Sequence, residues 1–295
     1  MKNKALAALS SLMGLLFASS ALADQPYPWQ IDLQPAATSL MEEARWFNLY
    51  TLWFIVPITL FVLALLVVVA VKFRKSANPV PSKTSHNTLI EIIWTVGPVV
   101  ILLFFAIPSF QLLTTQLTQP TNPDLTLKVT ATQWKWTYEY PSVENGPSFD
   151  SLILEDKDRA ALGKEDMSKY PRLLAVDNEL IVPVNKTVRV IVTAEPSDVI
   201  HAFAMQSFGI KVDAVPGRMN ETWFKADREG LFYGQCSELC GKDHAFMPIA
   251  IRVVSEDKYK VWLAAAATDL PGAYKALMAA VDGPSNVNVA SSDAK

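Results

Sequence analysis

The chain has 295 residues, of which 51% are hydrophobic and 19% are charged, and its formal net charge is −3. Soluble domains are typically about 25% charged, so this composition argues against a wholly soluble protein and indicates that part of the chain lies in a membrane. A chain of this charge lacks the strongly basic balance of nucleic-acid-binding proteins, and we expect no nucleic-acid partner.

The first 23 residues have the pattern of a secretory signal peptide. Lys2 and Lys4 supply a basic start, residues 5–17 an apolar core, and the Ala-Leu-Ala sequence at 21–23 a small-residue cleavage site. The pattern predicts export to an oxidising compartment, with a mature chain that starts near Asp24. An uncleaved N-terminal anchor is the alternative, but the apolar core is short for a membrane span.

Two uncharged stretches follow, at residues 46–71 and 92–123. Each is long enough to cross the hydrocarbon core of a bilayer as a helix, so we predict a transmembrane helical hairpin over residues 46–115. The loop between the two spans carries no acid, and its cations are Lys72, Arg74, Lys75 and Lys83. Because basic loops remain in the cytoplasm, we place segment 24–45 and the whole C-terminal part on the exported side, which is the periplasm in a bacterium.

Residues 124–255 are predicted to form a β domain. From 125 to 131 the odd positions are apolar, and from 134 to 140 the even positions are aromatic, as expected for strands. Because the phase slips between these segments, we expect a bulge or bend near 132–133. Short strands with frequent turns favour an antiparallel sandwich or barrel. The further predicted strands are 179–184, 187–193, 208–212, 221–224, 230–234 and 248–254.

Three segments of the exported part lack this alternation. Residues 141–171 are polar, with Pro, Gly and Ser near their start, and we expect them to form an insertion outside the barrel. Residues 256–281 are predicted to be helical, because Tyr259 and Trp262 lie at helical spacing. Residues 282–295 have no core signal and are predicted to be a disordered tail.

Both cysteines lie in one short stretch that is rich in metal-binding side chains. Cys236 and Cys240 are four residues apart, His244 is four further on, and Met247 follows three later. Two thiolates, an imidazole and a thioether form a soft ligand set that favours copper over other common metals.

His201 completes this candidate metal set. The remaining histidine, His86, lies in the predicted cytoplasmic loop, so only His201 could bring a second imidazole to the cysteine stretch. A closed zinc site would leave Met247 unused, and a mononuclear blue copper site would leave one cysteine unused. A dinuclear copper site uses every soft residue, with the backbone carbonyl of Glu238 close to the second copper. A disulfide between the two cysteines is the competing possibility in an oxidising compartment.

Three segments carry the pattern of a known family. They are Gln-Trp-Lys-Trp-Thr-Tyr-Glu-Tyr at 133–140, Asp-Ala-Val-Pro-Gly-Arg at 213–218, and C-x-E-x-C-x3-H-x2-M at 236–247. With the two-span hairpin they make nearly the whole mature chain resemble subunit II of bacterial cytochrome c oxidases, of the haem–copper family. The resemblance implies a two-helix transmembrane hairpin followed by an all-β cupredoxin-like sandwich or barrel with a short C-terminal helix.

The resemblance also implies a function and a location. The chain would accept electrons from cytochrome c at a dinuclear Cu(A) centre of two copper ions and pass them to the haem of subunit I. Oxygen would be reduced to water in that partner, coupled to proton pumping. The chain would lie in the bacterial inner membrane beside subunit I and other oxidase subunits, with its C-terminal domain in the periplasm.

Single residues receive roles from the same resemblance. The implied copper ligands are His201, Cys236, Glu238 (through its carbonyl), Cys240, His244 and Met247. The Glu238 carboxylate would share a magnesium ion with subunit I, and electrons would enter at Trp134. The implied docking acids for cytochrome c are Glu139, Asp150, Asp177 and Asp198, whereas Ser197 stands where some relatives have an acid. Glu91, at the start of the second span, would form the mouth of a proton channel; partnering the helix dipole is its alternative role.

Three other functions share part of this pattern. A quinol oxidase subunit of the same fold would lack the copper ligands, all of which this chain has. A Cu(A) reductase such as nitrous oxide reductase would resemble the copper domain but lack the two-span hairpin. A disulfide-stapled binding domain on a membrane anchor would not need the histidines or Met247.

Overall fold

The computed structural model describes residues 24–282, so the predicted signal peptide and all but the first residue of the predicted tail lie outside the described residues. The described chain divides into two compact units. Residues 39–118 form one unit, and residues 24–38 together with 119–282 form the other.

The first unit is a pair of long helices, α1 (Ser39–Lys72) and α2 (Thr88–Leu117). No residue in the most apolar window of either helix is buried, and both helices are long and apolar enough to cross a membrane. The two helices contact each other through aromatic side chains. For example, the Tyr50 hydroxyl donates a hydrogen bond to the Phe104 carbonyl at 3.2 Å.

The start of α2 is capped by side chains on both sides of the first turn. The Asn87 side chain accepts a hydrogen bond from the Ile90 N–H, and the Glu91 side chain accepts one from the Asn87 N–H, both at 3.2 Å. This reciprocal arrangement satisfies amides that the helix leaves without internal partners. It explains why the helix begins before the uncharged stretch.

The second unit is a β-sandwich of two five-stranded sheets. The strands are β1 Leu125–Thr132, β2 Lys135–Glu139, β3 Ser148–Ser151, β4 Leu180–Pro183, β5 Thr187–Ala194, β6 His201–Met205, β7 Ile210–Ala214, β8 Asn220–Lys225, β9 Gly230–Cys236 and β10 Pro248–Val254. One sheet has the order β3-β2-β1-β5-β8 and the other β4-β10-β9-β6-β7. Alternate residues of β5 are buried between the sheets, and every residue of β10 is buried. The structure thus confirms the expected helical hairpin followed by a β-sandwich.

The phase slip between the first two strands marks a hairpin and not a bulge. β1 and β2 are antiparallel and are joined by a two-residue turn at Gln133 and Trp134. In this register Ala131 faces Trp136 and Val129 faces Tyr138. Odd positions of β1 and even positions of β2 therefore share the buried face, as a two-residue loop requires.

The predicted antiparallel sandwich is a sandwich with mostly antiparallel strand pairs, but β1 pairs with β5 and β4 pairs with β10 in parallel. Strand β6 was missed, since its residues are almost all buried and show no alternation. The strand predicted at 208–212 begins at Ile210, because Gln206–Phe208 form a 3-10 turn.

The segment 141–171 is not an insertion outside the sandwich. It supplies β3 to the first sheet, and it continues into a short helix, α3 (Arg159–Leu162). Leu154 and Tyr170 join a buried cluster with Leu231, Tyr233 and Ala250 on the second sheet. Polar composition misled the prediction because two of the charged side chains here, Arg159 and Lys164, are buried and have hydrogen-bond partners. The Arg159 guanidinium, for example, donates hydrogen bonds to the Lys164 and Tyr170 carbonyls.

The C-terminal helical segment consists of two helices, α4 (Glu256–Ala266) and α5 (Leu270–Asp282), and not one. Trp262 and Leu277 are buried. Ser255 caps the first helix, and the Asp269 side chain accepts a hydrogen bond from Gly272 N–H at the start of the second. The Asp269 cap thus begins a new helix inside what the sequence pattern presents as one helical segment.

Candidate metal centre

Three strands of the second sheet bring the cysteine stretch to His201. His201 is the first residue of β6 and Cys236 the last of β9, and these strands are paired so that Phe203 faces Cys236. The chain then forms a loop that contains Cys240, followed by a 3-10 turn that starts at His244, and enters β10 directly after Met247.

The donor atoms of all six predicted copper ligands converge in this loop. The two cysteine sulfurs lie 3.9 Å apart. The Nδ1 atom of His201 lies 3.9 Å from the Cys236 sulfur, and that of His244 lies 3.5 Å from the Cys240 sulfur. The Met247 thioether is 3.5 Å from the Cys240 sulfur, and the Glu238 carbonyl oxygen is 3.4 Å from the Cys236 sulfur.

This arrangement fits a soft metal and not a disulfide. The sulfur–sulfur separation is almost twice the length of a disulfide bond, about 2.05 Å, and both cysteines are free thiols. Each cysteine sulfur has one imidazole beside it, and the Met247 thioether sulfur lies beside the Cys240 sulfur. Because thiolate and thioether sulfur are soft ligands that suit copper, the donor set is compatible with copper binding.

The two thiols ionise differently. Burial disfavours both thiolates, but at Cys236 the adjacent His201 ring and backbone hydrogen bonds outweigh burial and lower the pKa of the thiol below its usual range. At Cys240, burial and the neighbouring Cys236 sulfur raise the pKa. One thiolate therefore forms readily, whereas the second needs an additional positive charge beside it, which a bound metal cation supplies.

The β1–β2 hairpin holds the loop from the side. Its turn residues both bond to the Cys240 carbonyl: Gln133 Nε2 donates at 2.8 Å and Trp134 Nε1 at 3.2 Å. The buried Trp136 indole donates to the Met247 carbonyl at 3.1 Å. Sequence reasoning identified Trp134 but missed the contacts of Gln133 and Trp136, although both belong to the aromatic run that drew attention to Trp134.

The four predicted docking acids lie on the β domain in two kinds of environment. Glu139 and Asp150 are partly exposed and form ion pairs with Lys128 at 2.7 Å and Lys135 at 2.5 Å. The other two, Asp177 and Asp198, accept hydrogen bonds from backbone N–H groups and are largely enclosed. Burial, the largest influence, raises the pKa of Asp177 despite these bonds.

Two further predicted residues, Glu238 and Glu91, were assigned roles through their carboxylates. The Glu238 side chain is exposed to solvent, so only its carbonyl belongs to the donor set. Glu91 belongs to the helical unit, where it caps α2.

Comparison with known proteins identifies the family. Residues 26–112 match the family model of the transmembrane domain of cytochrome c oxidase subunit II, and residues 125–254 match that of its periplasmic domain. The chain belongs to the cytochrome c oxidase subunit II family. It is thus a subunit of an oxidoreductase complex, with two membrane-spanning helices and a periplasmic domain.

Individual relatives agree with this assignment. The chain is 50% identical to a probable cytochrome c oxidase subunit 2 of Rickettsia bellii, over 86% of this chain and 91% of the relative. It is 44% identical to cytochrome c oxidase subunit 2 of Oenothera berteroana, over 84% and 93% of the two chains. A crystal structure of the periplasmic domain of subunit II from Bradyrhizobium japonicum is 56% identical, with a TM-score of 0.43, and the match covers 50% of this chain and 96% of that domain.

Proposed function

We propose that the chain accepts electrons from cytochrome c at a dinuclear copper centre and passes them to the haem of subunit I, where oxygen is reduced to water with proton pumping. The observation that carries the proposal is the pairing at the metal centre. Two cysteine sulfurs lie 3.9 Å apart, and each faces the Nδ1 atom of one histidine. One zinc or one copper ion would leave donors unused, whereas two copper ions engage them all.

In this function the chain would hold the metal ligands in fixed positions and shield them from water. The residues that would hold two copper ions are His201, Cys236, Glu238 through its carbonyl, Cys240, His244 and Met247. When bound, the copper pair supplies a one-electron carrier. The donors sit on or next to paired strands, and both thiols and the thioether are buried. Such rigid support limits movement of the ligands between oxidation states.

Trp134 is the proposed point at which electrons reach the copper loop. Its indole is half-buried, and it donates its N–H to the Cys240 carbonyl, so it connects the surface to a residue of the metal set through one hydrogen bond. The ring also lies against Gly241.

Cytochrome c would dock through the acids of the β domain, which attract a basic partner and raise the rate of encounter. Glu139, Asp150, Asp177 and Asp198 are the proposed docking acids. The side chains of Glu139 and Asp150 are 36% and 41% exposed, so these two would contribute most.

The remaining assignments concern the membrane and subunit I. The exposed Glu238 carboxylate would share a magnesium ion with subunit I, and Glu91 would form the mouth of a proton channel. The chain would reside in a bacterial inner membrane after removal of the signal peptide, residues 1–23. Segment 24–45 would precede the transmembrane hairpin, 46–115, and the copper domain, 124–255, would precede the helical segment and tail.

Copper analysis of the full-length chain in detergent tests the proposal. The wild type should bind two copper ions per chain and show the near-infrared absorption of a mixed-valence pair. Cys240→Ser should lose this absorption, because it removes one of the two sulfurs that would hold the copper ions, whereas Ser237→Ala, in the same loop, should retain it. Zinc in place of copper, or a Cys236–Cys240 disulfide in the functional oxidase, would contradict the proposal.

A further inference from the structure

Asp198 links the metal centre to the hairpin that carries Trp134. It lies in the loop between β5 and β6, three residues before His201, and its side chain is only 7% exposed. One carboxylate oxygen accepts a hydrogen bond from the Gln133 N–H and the other from the Val199 N–H, both at 2.7 Å. The carboxylate is therefore fixed by two backbone groups from different parts of the chain.

The same carboxylate faces the far side of the His201 ring. Asp198 Oδ1 lies 3.5 Å from His201 Nε2, while Nδ1 on the opposite side of the ring faces the Cys236 sulfur. His201 is fully buried, and its Nε2 has no hydrogen-bond partner within residues 24–282. A negative charge beside Nε2 favours the tautomer with its proton there. That tautomer leaves the lone pair of Nδ1 free to bind a metal.

The hairpin end of the link reaches the cysteine loop. Gln133, whose backbone N–H is bonded to Asp198, donates its side-chain amide to the Cys240 carbonyl at 2.8 Å. The next residue, Trp134, donates to the same carbonyl. Asp198 thus lies 3.5 Å from His201, a histidine of the metal set. Through hydrogen bonds of Gln133 it is also linked to the loop that carries Cys240.

We propose that Asp198 is a positioning residue for the copper centre, which orients His201 and anchors the Trp134 hairpin against the cysteine loop. The inference rests on the proposed function. It assigns Asp198 a structural part in electron transfer that is distinct from attracting cytochrome c. A carboxylate that is 7% exposed, with each oxygen accepting a backbone hydrogen bond, is poorly placed for direct contact with a docking partner.

The test compares Asp198→Asn with Glu195→Gln in the full-length chain loaded with copper in detergent. Both variants remove one negative charge with little change in volume, but Glu195 is exposed and lies three residues further from His201. Two properties are measured: the rate of copper loss to a chelator and the reduction potential of the centre.

We expect Asp198→Asn to lose copper about 10–100-fold faster, the usual cost of removing a partner of a metal-bound histidine. We also expect its potential to rise, because a nearby negative charge stabilises the oxidised centre. Glu195→Gln should match the wild type in both.

Thermal unfolding of the metal-free variants separates positioning from folding. If Asp198→Asn does not fold, Asp198→Ser decides the question, since its hydroxyl can still accept from the Val199 N–H but carries no charge to His201. A folded variant with wild-type copper retention and potential overturns the inference. So does one that alters only the salt dependence of the reaction with cytochrome c, because that outcome assigns Asp198 to docking alone. Failure of the wild type to bind copper would instead overturn the proposed function.

Discussion

Gly241 allows Trp134 to lie directly on the cysteine loop. Its φ is +122°, and a Cβ atom at this position would lie 2.9 Å from the Trp134 ring and 3.1 Å from the Gln133 side-chain amide. Real Cβ atoms do not approach a rigid ring so closely. Glycine is therefore needed here for its conformation and for its lack of a side chain.

Gly241→Ala should both destabilise the β domain and displace Trp134 from the copper loop. Gly217→Ala is the matched control, because Gly217 also has a positive φ (+72°), but a Cβ added there would have no other atom within 4 Å. The control should cost about 1–2 kcal/mol in unfolding free energy from backbone strain alone and leave copper retention unchanged. Gly241→Ala should cost more and lose copper faster. Equal behaviour of the two variants in denaturant unfolding and chelator challenge would show that the close approach to Trp134 is unimportant.

At the residue scale, the metal-binding residues are easier to predict from the sequence than the residues that hold them in position. Cys236, Cys240, His244 and Met247 are close in the chain, so their spacing alone indicates a metal site. Gln133 and Asp198 are separated by 65 positions and meet through one backbone hydrogen bond. This hydrogen bond, from the Gln133 N–H to the Asp198 carboxylate, depends on how two loops pack, and no local sequence pattern encodes it.

At the scale of elements, a buried ion network attaches segment 141–178 to the second sheet. Glu179 is fully buried and accepts from Arg252 of β10 at 2.5 Å and from Lys164 at 3.0 Å. The Tyr170 hydroxyl accepts a hydrogen bond from Arg252, at 3.0 Å, and the Tyr274 hydroxyl donates to the Glu179 carbonyl. Lys164 of the segment and Arg252 of β10 thus pair with the carboxylate of Glu179, the residue before β4. Tyr274 of α5 also contacts Glu179, through its backbone carbonyl.

This network makes the unfolding free energy depend on pH. Burial alone would raise the pKa of Glu179, but the Arg252 and Lys164 cations lower it to about 2, from 4.5. Because the folded-state pKa is the lower one, this stabilisation is complete above pH 4.5 and is lost as the pH falls through about 2.

Glu179→Gln should therefore lower the unfolding free energy at pH 7 by about 3–5 kcal/mol, because it leaves two buried cations without their anion. The deficit relative to the wild type should shrink below pH 4.5, where the wild-type carboxylate begins to lose its advantage. Glu221→Gln is the control, since its bidentate pair with Arg189 is about one-third exposed and should be worth at most about 1 kcal/mol. Denaturant unfolding at several pH values measures both, and identical losses in the two variants would contradict the role of the buried network.

Elements with a strong local pattern were predictable, and those defined by distant partners were not. The predicted bounds of β10 agree with the structure, because an apolar run that is interrupted only by Arg252 is a local signal. β3 is four residues long and only half buried, and its place in the sheet depends on pairing with β2. Its assignment to a strand therefore needed the structure.

At the scale of the whole molecule, the two units differ in the surfaces that they expose. The helical unit exposes apolar side chains along both helices, whereas the β domain buries its apolar residues in its own core. Only the helical unit therefore needs a lipid environment. The loop that joins the helices is basic, with Lys72, Arg74, Lys75 and Lys83, and this charge predicts that the loop lies on the cytoplasmic side.

Protease access should therefore differ between the two faces of the membrane. Trypsin added to intact spheroplasts should cut the β domain and leave the loop at Arg74 and Lys75 uncut, because the loop lies behind the bilayer. Trypsin added to inverted vesicles should cut this loop and separate α1 from α2 while the β domain stays whole. Mass spectrometry of the fragments identifies the sites. Cleavage at Arg74 and Lys75 from outside the spheroplasts would place the β domain, with its metal site, in the cytoplasm. A periplasmic cytochrome c could not reach it there. This result would contradict both the orientation and the proposed electron donor.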